Sequence, residues 1–130
     1  MIQANELRIG VLVNTPFGIG SVDSIITHHA NDGAVTTVKA AGISYQEGLL
    51  LEQIYPIPIT PEILEKSGFK TSRKGVEWTI VVNQELGSVL IVQCVNGVYS
   101  LSCCPVEFQS VHQLQNLHHA LTGTELKIQL

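Results

Sequence analysis

Apolar and polar positions in the first half of the chain come as short runs separated by turn residues. Ile9-Gly10-Val11-Leu12-Val13 stops at Asn14-Thr15-Pro16, and Ser21-Val22-Asp23-Ser24-Ile25-Ile26 resumes after Phe17-Gly18-Ile19-Gly20. Two glycines around Ile19 predict a tight bend or bulge, because glycine reaches backbone conformations that other residues resist. Asn31-Asp32-Gly33 predicts a turn into the alternating, β-branched Val35-Thr36-Thr37-Val38-Lys39. Ile43-Ser44-Tyr45 and Leu49-Leu50-Leu51 are weaker strand signals. Tyr55-Pro56-Ile57-Pro58-Ile59 must be extended, since each proline biases its predecessor away from helix.

The second half mixes periods. A helix is predicted at about 60–67, with Thr60 as N-cap, Pro61 in the first turn and Gly68 as the stop. Residues 75–108 read as a β-meander. Val76, Trp78, Ile80 and Val82 alternate with Glu77 and Thr79, and the nearly continuous apolar run from Val89 to Val95 predicts a central strand. Asn96-Gly97 is the strongest two-residue hairpin signal. A second helix is predicted at about 110–122, capped by Ser110 with Gln113 completing a capping box. Val111, Leu114, Leu117, His118 and Leu121 form its apolar stripe. Glu125-Leu126-Lys127-Ile128-Gln129-Leu130 alternates as a last strand.

The pattern therefore predicts an α+β, mainly β chain. Residues 1–59 form a small barrel lobe, and residues 60–130 form a helix, meander, helix and strand lobe; the two are also compatible with one compact unit. Serine, glycine and basic residues cluster at 68–75, where a hinge would fall.

Composition narrows the function classes. The 130 residues are 45% apolar and 14% charged, which excludes a disordered charged tail. Seven basic against eleven acidic residues give a net charge of −4, and this argues against a chain whose main task is neutralising phosphates. The opening Met1-Ile2-Gln3-Ala4-Asn5-Glu6 has no basic and then apolar signal pattern, and no uninterrupted apolar stretch is long enough to cross a bilayer. Cys94, Cys103 and Cys104 are an odd set without framework spacing, so a cytoplasmic location with reduced, mostly buried thiols is expected.

Two resemblances add to this reading. Gly10-Val11-Leu12-Val13 followed by Gly18-Ile19-Gly20-Ser21-Val22 resembles the opening of an SH3-like barrel, which implies five short bent strands over residues 7–59. The whole chain resembles a group of small uncharacterised bacterial and phage proteins. The matching stretches are Asn5-Glu6-Leu7-Arg8-Ile9-Gly10, Pro56-Ile57-Pro58-Ile59-Thr60-Pro61-Glu62-Ile63-Leu64 with Gly68-Phe69, and Val111-His112-Gln113-Leu114-Gln115-Asn116-Leu117 with Ala120-Leu121-Thr122-Gly123. That resemblance implies a cytoplasmic accessory protein of a mobile element and carries over no catalytic residue.

Candidate chemistry is sparse. His112 and His119 lie seven residues apart on the second helix, about 10.5 Å along its axis, too far to share one metal. With Gln115 and Asn116 they make a polar stripe that is expected to face solvent or a partner, Gln113 lying beside it, while His118 edges the core. A reactive Cys103 or Cys104 needs a nearby cation, yet residues 75–126 contain no Lys or Arg. Gly18-Ile19-Gly20 lacks the third glycine of a dinucleotide loop, and no Walker lysine exists. Lys66, Lys70, Arg73 and Lys74 gather four of the seven cations, expected on a solvated loop.

These features favour a non-enzymatic module that binds another protein or itself through His112, Gln115, Asn116 and His119. No cofactor, metal or membrane is implied. The alternative is a nucleic-acid accessory protein using Lys66, Lys70, Arg73 and Lys74. A Cys/His enzyme is a third reading, which needs a thiol within reach of an imidazole.

Overall fold

The computed structural model describes residues 2–30, 33–43, 48–83, 85–102 and 104–130. The chain is mainly β. Its two sheets are antiparallel, one of them curled into a half-barrel, and two α-helices accompany them. Two compact units are formed, Met1–Ile57 with Ser110–Asn116, and Pro58–Gln109 with Leu117–Leu130.

In the first unit a 3₁₀ turn (Ala4–Glu6) precedes β1 (Leu12–Thr15), β2 (Gly18–Ala30), β3 (Gly33–Ala41) and β4 (Leu49–Leu50), and a second 3₁₀ turn (Leu51–Gln53) follows. The strands pair in sequence order. The glycine-rich bend is the β1–β2 hairpin, where the Thr15 hydroxyl donates to the Gly18 carbonyl at 2.7 Å and accepts from the Phe17 N–H. Gly20 marks a close approach: a Cβ there would lie 3.0 Å from both the Ala40 Cβ and the Ala41 carbonyl oxygen. A register shift between Val22 and Ser24 adds a bulge that bends the long β2. The bent sheet wraps a core of Ile2, Leu7, Val11, Val13, Val22, Val38, Leu49 and Ile54. After the second 3₁₀ turn, Tyr55 bridges to Asn14 beside β1.

The second unit contains α1 (Pro61–Lys66), β5 (Lys70–Arg73), β6 (Glu77–Asn83), β7 (Ser88–Val95), β8 (Val98–Leu101) and β9 (Cys104–Phe108), the strands pairing in that order with β7 central, as its apolar run requires. Thr60 caps α1 by accepting from the Ile63 N–H. The helix ends in a Schellman turn, with Phe69 N–H on the Leu64 carbonyl and Gly68 N–H on the Glu65 carbonyl. Asn96 and Gly97, with φ of 53° and 79°, make the β7–β8 turn. Two positive φ values in a two-residue loop match the right-handed twist of the flanking strands, which is why Asn-Gly is selected there. Trp78, Tyr99 and Phe108 are buried, with successive ring centroids 6.1 Å apart.

The last helix, α2 (Val111–Thr122), contributes its first half to the first unit and its second half to the second. Val111, Leu114 and His118 are buried, but Leu121 is exposed.

Two expectations need correction. Residues 125–130 form no strand: Leu126 is buried, but the Gln129 N–H is satisfied by the Ser67 hydroxyl instead of a ladder partner. Lys70 and Arg73 lie on a strand, not a loop, because an edge strand with both faces wet needs no apolar alternation. Over residues 7–59 the described residues form a four-strand antiparallel sheet, to which Tyr55 adds an isolated bridge beside β1. Asn31, Asp32, Ser44, Tyr45 and Cys103, on which other sequence expectations fell, lie outside the described residues.

Candidate interaction site

The polar face of α2 turns inward. His112 and Gln115 are only 2% and 3% exposed, so the expectation that His112 faces solvent fails. The side-chain amides of Gln113, Gln115 and Asn116 answer backbone and side-chain needs of residues 6–12. Gln115 Oε1 accepts from the Leu12 N–H at 2.8 Å. Asn116 donates to the Glu6 carbonyl at 2.6 Å and accepts from Arg8 Nε at 3.1 Å. Arg8 Nη2 reaches the Gln115 carbonyl at 3.2 Å, and the Gln113 amide reaches the Glu6 carboxylate at 3.4 Å. Spacing alone makes these residues a stripe; only the return of the N-terminal segment beneath α2 makes that stripe internal. His119, half-buried, falls in the second unit.

His112 Nδ1 lies 3.1 Å from the Ser110 hydroxyl. Its Nε2 is buried without a hydrogen-bond partner, 4.0 Å from the Glu6 carboxylate. Burial pushes the imidazole below the usual histidine range, and the Glu6 charge opposes that. Glu6 itself is held below the usual carboxylate range, first by the Gln3 N–H that donates to it, then by Gln113 and His112, with burial acting against them. Ser110, His112 and Glu6 carry the residue types of a nucleophile, base and acid. Ser110 and His112 are nevertheless both buried, so they present no reacting atom to solvent.

The basic residues are placed differently. Lys66 occupies the last turn of α1, where a cation complements the helix dipole. Lys70 and Arg73 lie on β5, the first edge of the second sheet, with Arg73 opposite Glu77, and Lys74 follows in the turn; all four are exposed. Cys94 is a half-buried free thiol. Among the described residues, no three His, Cys, Asp or Glu side chains group as metal ligands, and no helix is long and apolar enough to cross a membrane.

The feature that sequence reasoning missed is the edge of β3. β2 and β3 stay paired out to Ala30 and Gly33, but β1 reaches along β2 only to Ser21 and β4 pairs only with Thr37 and Val38. Beyond those points, and beyond the Val22 hydrogen bonds to Gly10 and Val11, the hairpin is a two-stranded arm among the described residues. β4 leaves the sheet because the Gln53 side chain accepts from the Leu50 N–H at 2.9 Å and the Ile54 N–H closes onto the Leu51 carbonyl at 3.1 Å. Among the described residues, no strand occupies the place beside residues 33–36 that β4 vacates. An open groove of about 400 Å³ lies there, lined by Ala34, Val35, Thr36, Leu50, Leu51 and Glu52.

Cross-strand partners share a face, so Ile26, Thr37 and Leu50 form one outer row and His28 and Val35 the next. Ile26, Val35 and Leu50 are 41%, 49% and 42% exposed. Gly33-Ala34-Val35-Thr36 also lacks the lysine or arginine that marks β5. Charged edges resist pairing with another strand; this one does not. The turn signal at 31–33 announced the hairpin, but the early exit of β4 depends on the Gln53–Leu50 bond, which has no sequence pattern of its own.

Comparison of the chain with protein-family models, with curated protein sequences and with solved structures returns no match.

Proposed function

We propose that this chain is a non-enzymatic protein-interaction module that accepts an extended polypeptide segment as an added strand beside β3. The observation that carries this reading is the vacated edge at residues 33–36, uncharged and flanked by Val35 and Leu50. Strand addition draws affinity from main-chain hydrogen bonds and selectivity from pockets for alternate side chains. The groove supplies the pockets, and the edge supplies the donors and acceptors. So short an edge belongs with weak, transient contacts, not with permanent assemblies.

We read the first unit as an SH3-like barrel left open between β3 and the segment after β4. The sequential four-strand order, the 3₁₀ turn after β4 and the return of Tyr55 beside β1 support that reading. A cytoplasmic accessory role in a mobile element is supported by the three sequence stretches given above.

Selection of random nonapeptides on the intact protein, followed by binding to the Val35→Lys variant, tests the function. Val35 is half-exposed, so the variant keeps its fold, which circular dichroism confirms. Selected peptides should bind the parent protein and lose most of that affinity against Val35→Lys. Peptides that bind both equally would contradict the reading.

A further inference from the structure

We infer that the occupant of the β3 slot is an extended peptide running antiparallel to β3, with an apolar residue opposite Val35 and a cationic group at the end where it enters beside Glu52. This rests on the strand-addition reading and adds direction, register and charge to it.

Direction follows from the sheet. Every neighbour of β3 is antiparallel, and β4 approaches the slot in that sense, pairing Leu49 with Val38 and Leu50 with Thr37. A strand that continues this ladder meets Thr36 first, then Val35, then Ala34. Antiparallel pairing is also the more stable per residue. Register follows from the pleat. The residue opposite Val35 projects onto the outer face, beside Val35 and Leu50, where an apolar side chain removes exposed apolar surface from water. The residues opposite Thr36 and Ala34 project onto the other face, in the rows of Thr27 and His29, and are best polar.

Charge follows from the closed end. The groove is blocked near Thr36 by the chain's own Leu50, Leu51 and Glu52, so an entering peptide must leave the sheet plane there, passing Glu52. Glu52 is the one charged residue among the described residues that line the groove. A lysine, arginine or free amino terminus at that position meets it favourably, and a carboxylate is repelled. A second copy of the chain fits less well. Edge-to-edge pairing would bring residues 33–36 against Glu52, and those four residues contain no cation.

The test is an amide-resolved NMR titration of the full chain with two capped pentapeptides, acetyl-Lys-Thr-Val-Thr-Val-amide and its counterpart with Glu in place of Lys. The lysine peptide should shift the amide signals of Ala34, Val35, Thr36, Leu50, Leu51 and Glu52. It should bind about three-fold more tightly than the glutamate peptide at low salt, the size expected of an exposed ion pair. Glu52→Lys, at an exposed position, should reverse that order. Equal affinities at the slot would overturn the charge and entry assignment while leaving strand addition standing. Shifts from neither peptide at the slot would overturn both. Slot signals that move with protein concentration alone would show a second copy as the occupant and overturn the inference.

Discussion

The side-chain amide of Asn116 donates to the backbone carbonyl of Glu6 over 2.6 Å, and the same side chain accepts from Arg8 Nε. One residue in the middle of α2 thus ties down the first turn of the chain, 110 positions earlier. Asn116→Ala leaves that carbonyl without its donor. The expected loss is about 1–3 kcal/mol of unfolding free energy, measured by urea denaturation.

Gln115 is the partner case, and it separates shape from hydrogen bonding. Gln115→Met preserves length and volume but withdraws the acceptor from the half-buried Leu12 N–H. We expect a cost of about 1–3 kcal/mol despite the conserved packing. A denaturation midpoint equal to that of the parent protein would show that water replaces the Gln115 oxygen.

His112 makes stability depend on pH in a defined direction. Its folded pKa lies below the unfolded value, so the unfolded chain takes up the proton first. The contribution is fully present above the ordinary histidine pKa near 6.5 and is lost as pH falls from there towards the lower folded value. Glu6, also held low, adds a second loss below the ordinary carboxylate pKa of 4.5. Denaturation midpoints should therefore fall between about pH 7 and pH 5.5. His112→Asn should flatten that segment while leaving the loss below 4.5.

The β7–β8 turn tests the link between local sequence and strand register. Asn96 holds a φ of 53° and Gly97 one of 79°. Asn96→Val forces a β-branched residue into that region and should cost about 1–2 kcal/mol, whereas Asn96→Gly should cost a few tenths. Thermal melts of the two variants decide it.

The elements legible from the sequence share one property: their information is local. Thr60, Gly68 and Phe69 specify both ends of α1 within ten residues, and Asn96-Gly97 specifies its hairpin alone. Misreadings arose where a remote partner decides the outcome. His112, Gln115 and Asn116 read as a stripe facing solvent or a partner because nothing near them in sequence reveals that Glu6, Arg8 and Leu12 return to meet them. Residues 125–130 alternate like a strand, yet Ser67 takes the Gln129 N–H. The β3 slot was hidden for the same reason. A two-residue β4 and the Gln53–Leu50 bond create it, and neither changes the hydrophobic pattern of β3 itself.

Amide hydrogen exchange at Ala34, Val35 and Thr36, with and without the lysine-headed pentapeptide, tests the strand-addition account most directly. In the free chain, at concentrations where it is monomeric, the amides of these three that point away from β2 should exchange rapidly, while Val38, paired to β4, stays protected. Saturating peptide should slow those exposed amides and leave the second sheet unchanged. Amides already protected in the free monomer, or still unprotected with peptide bound, would contradict the account.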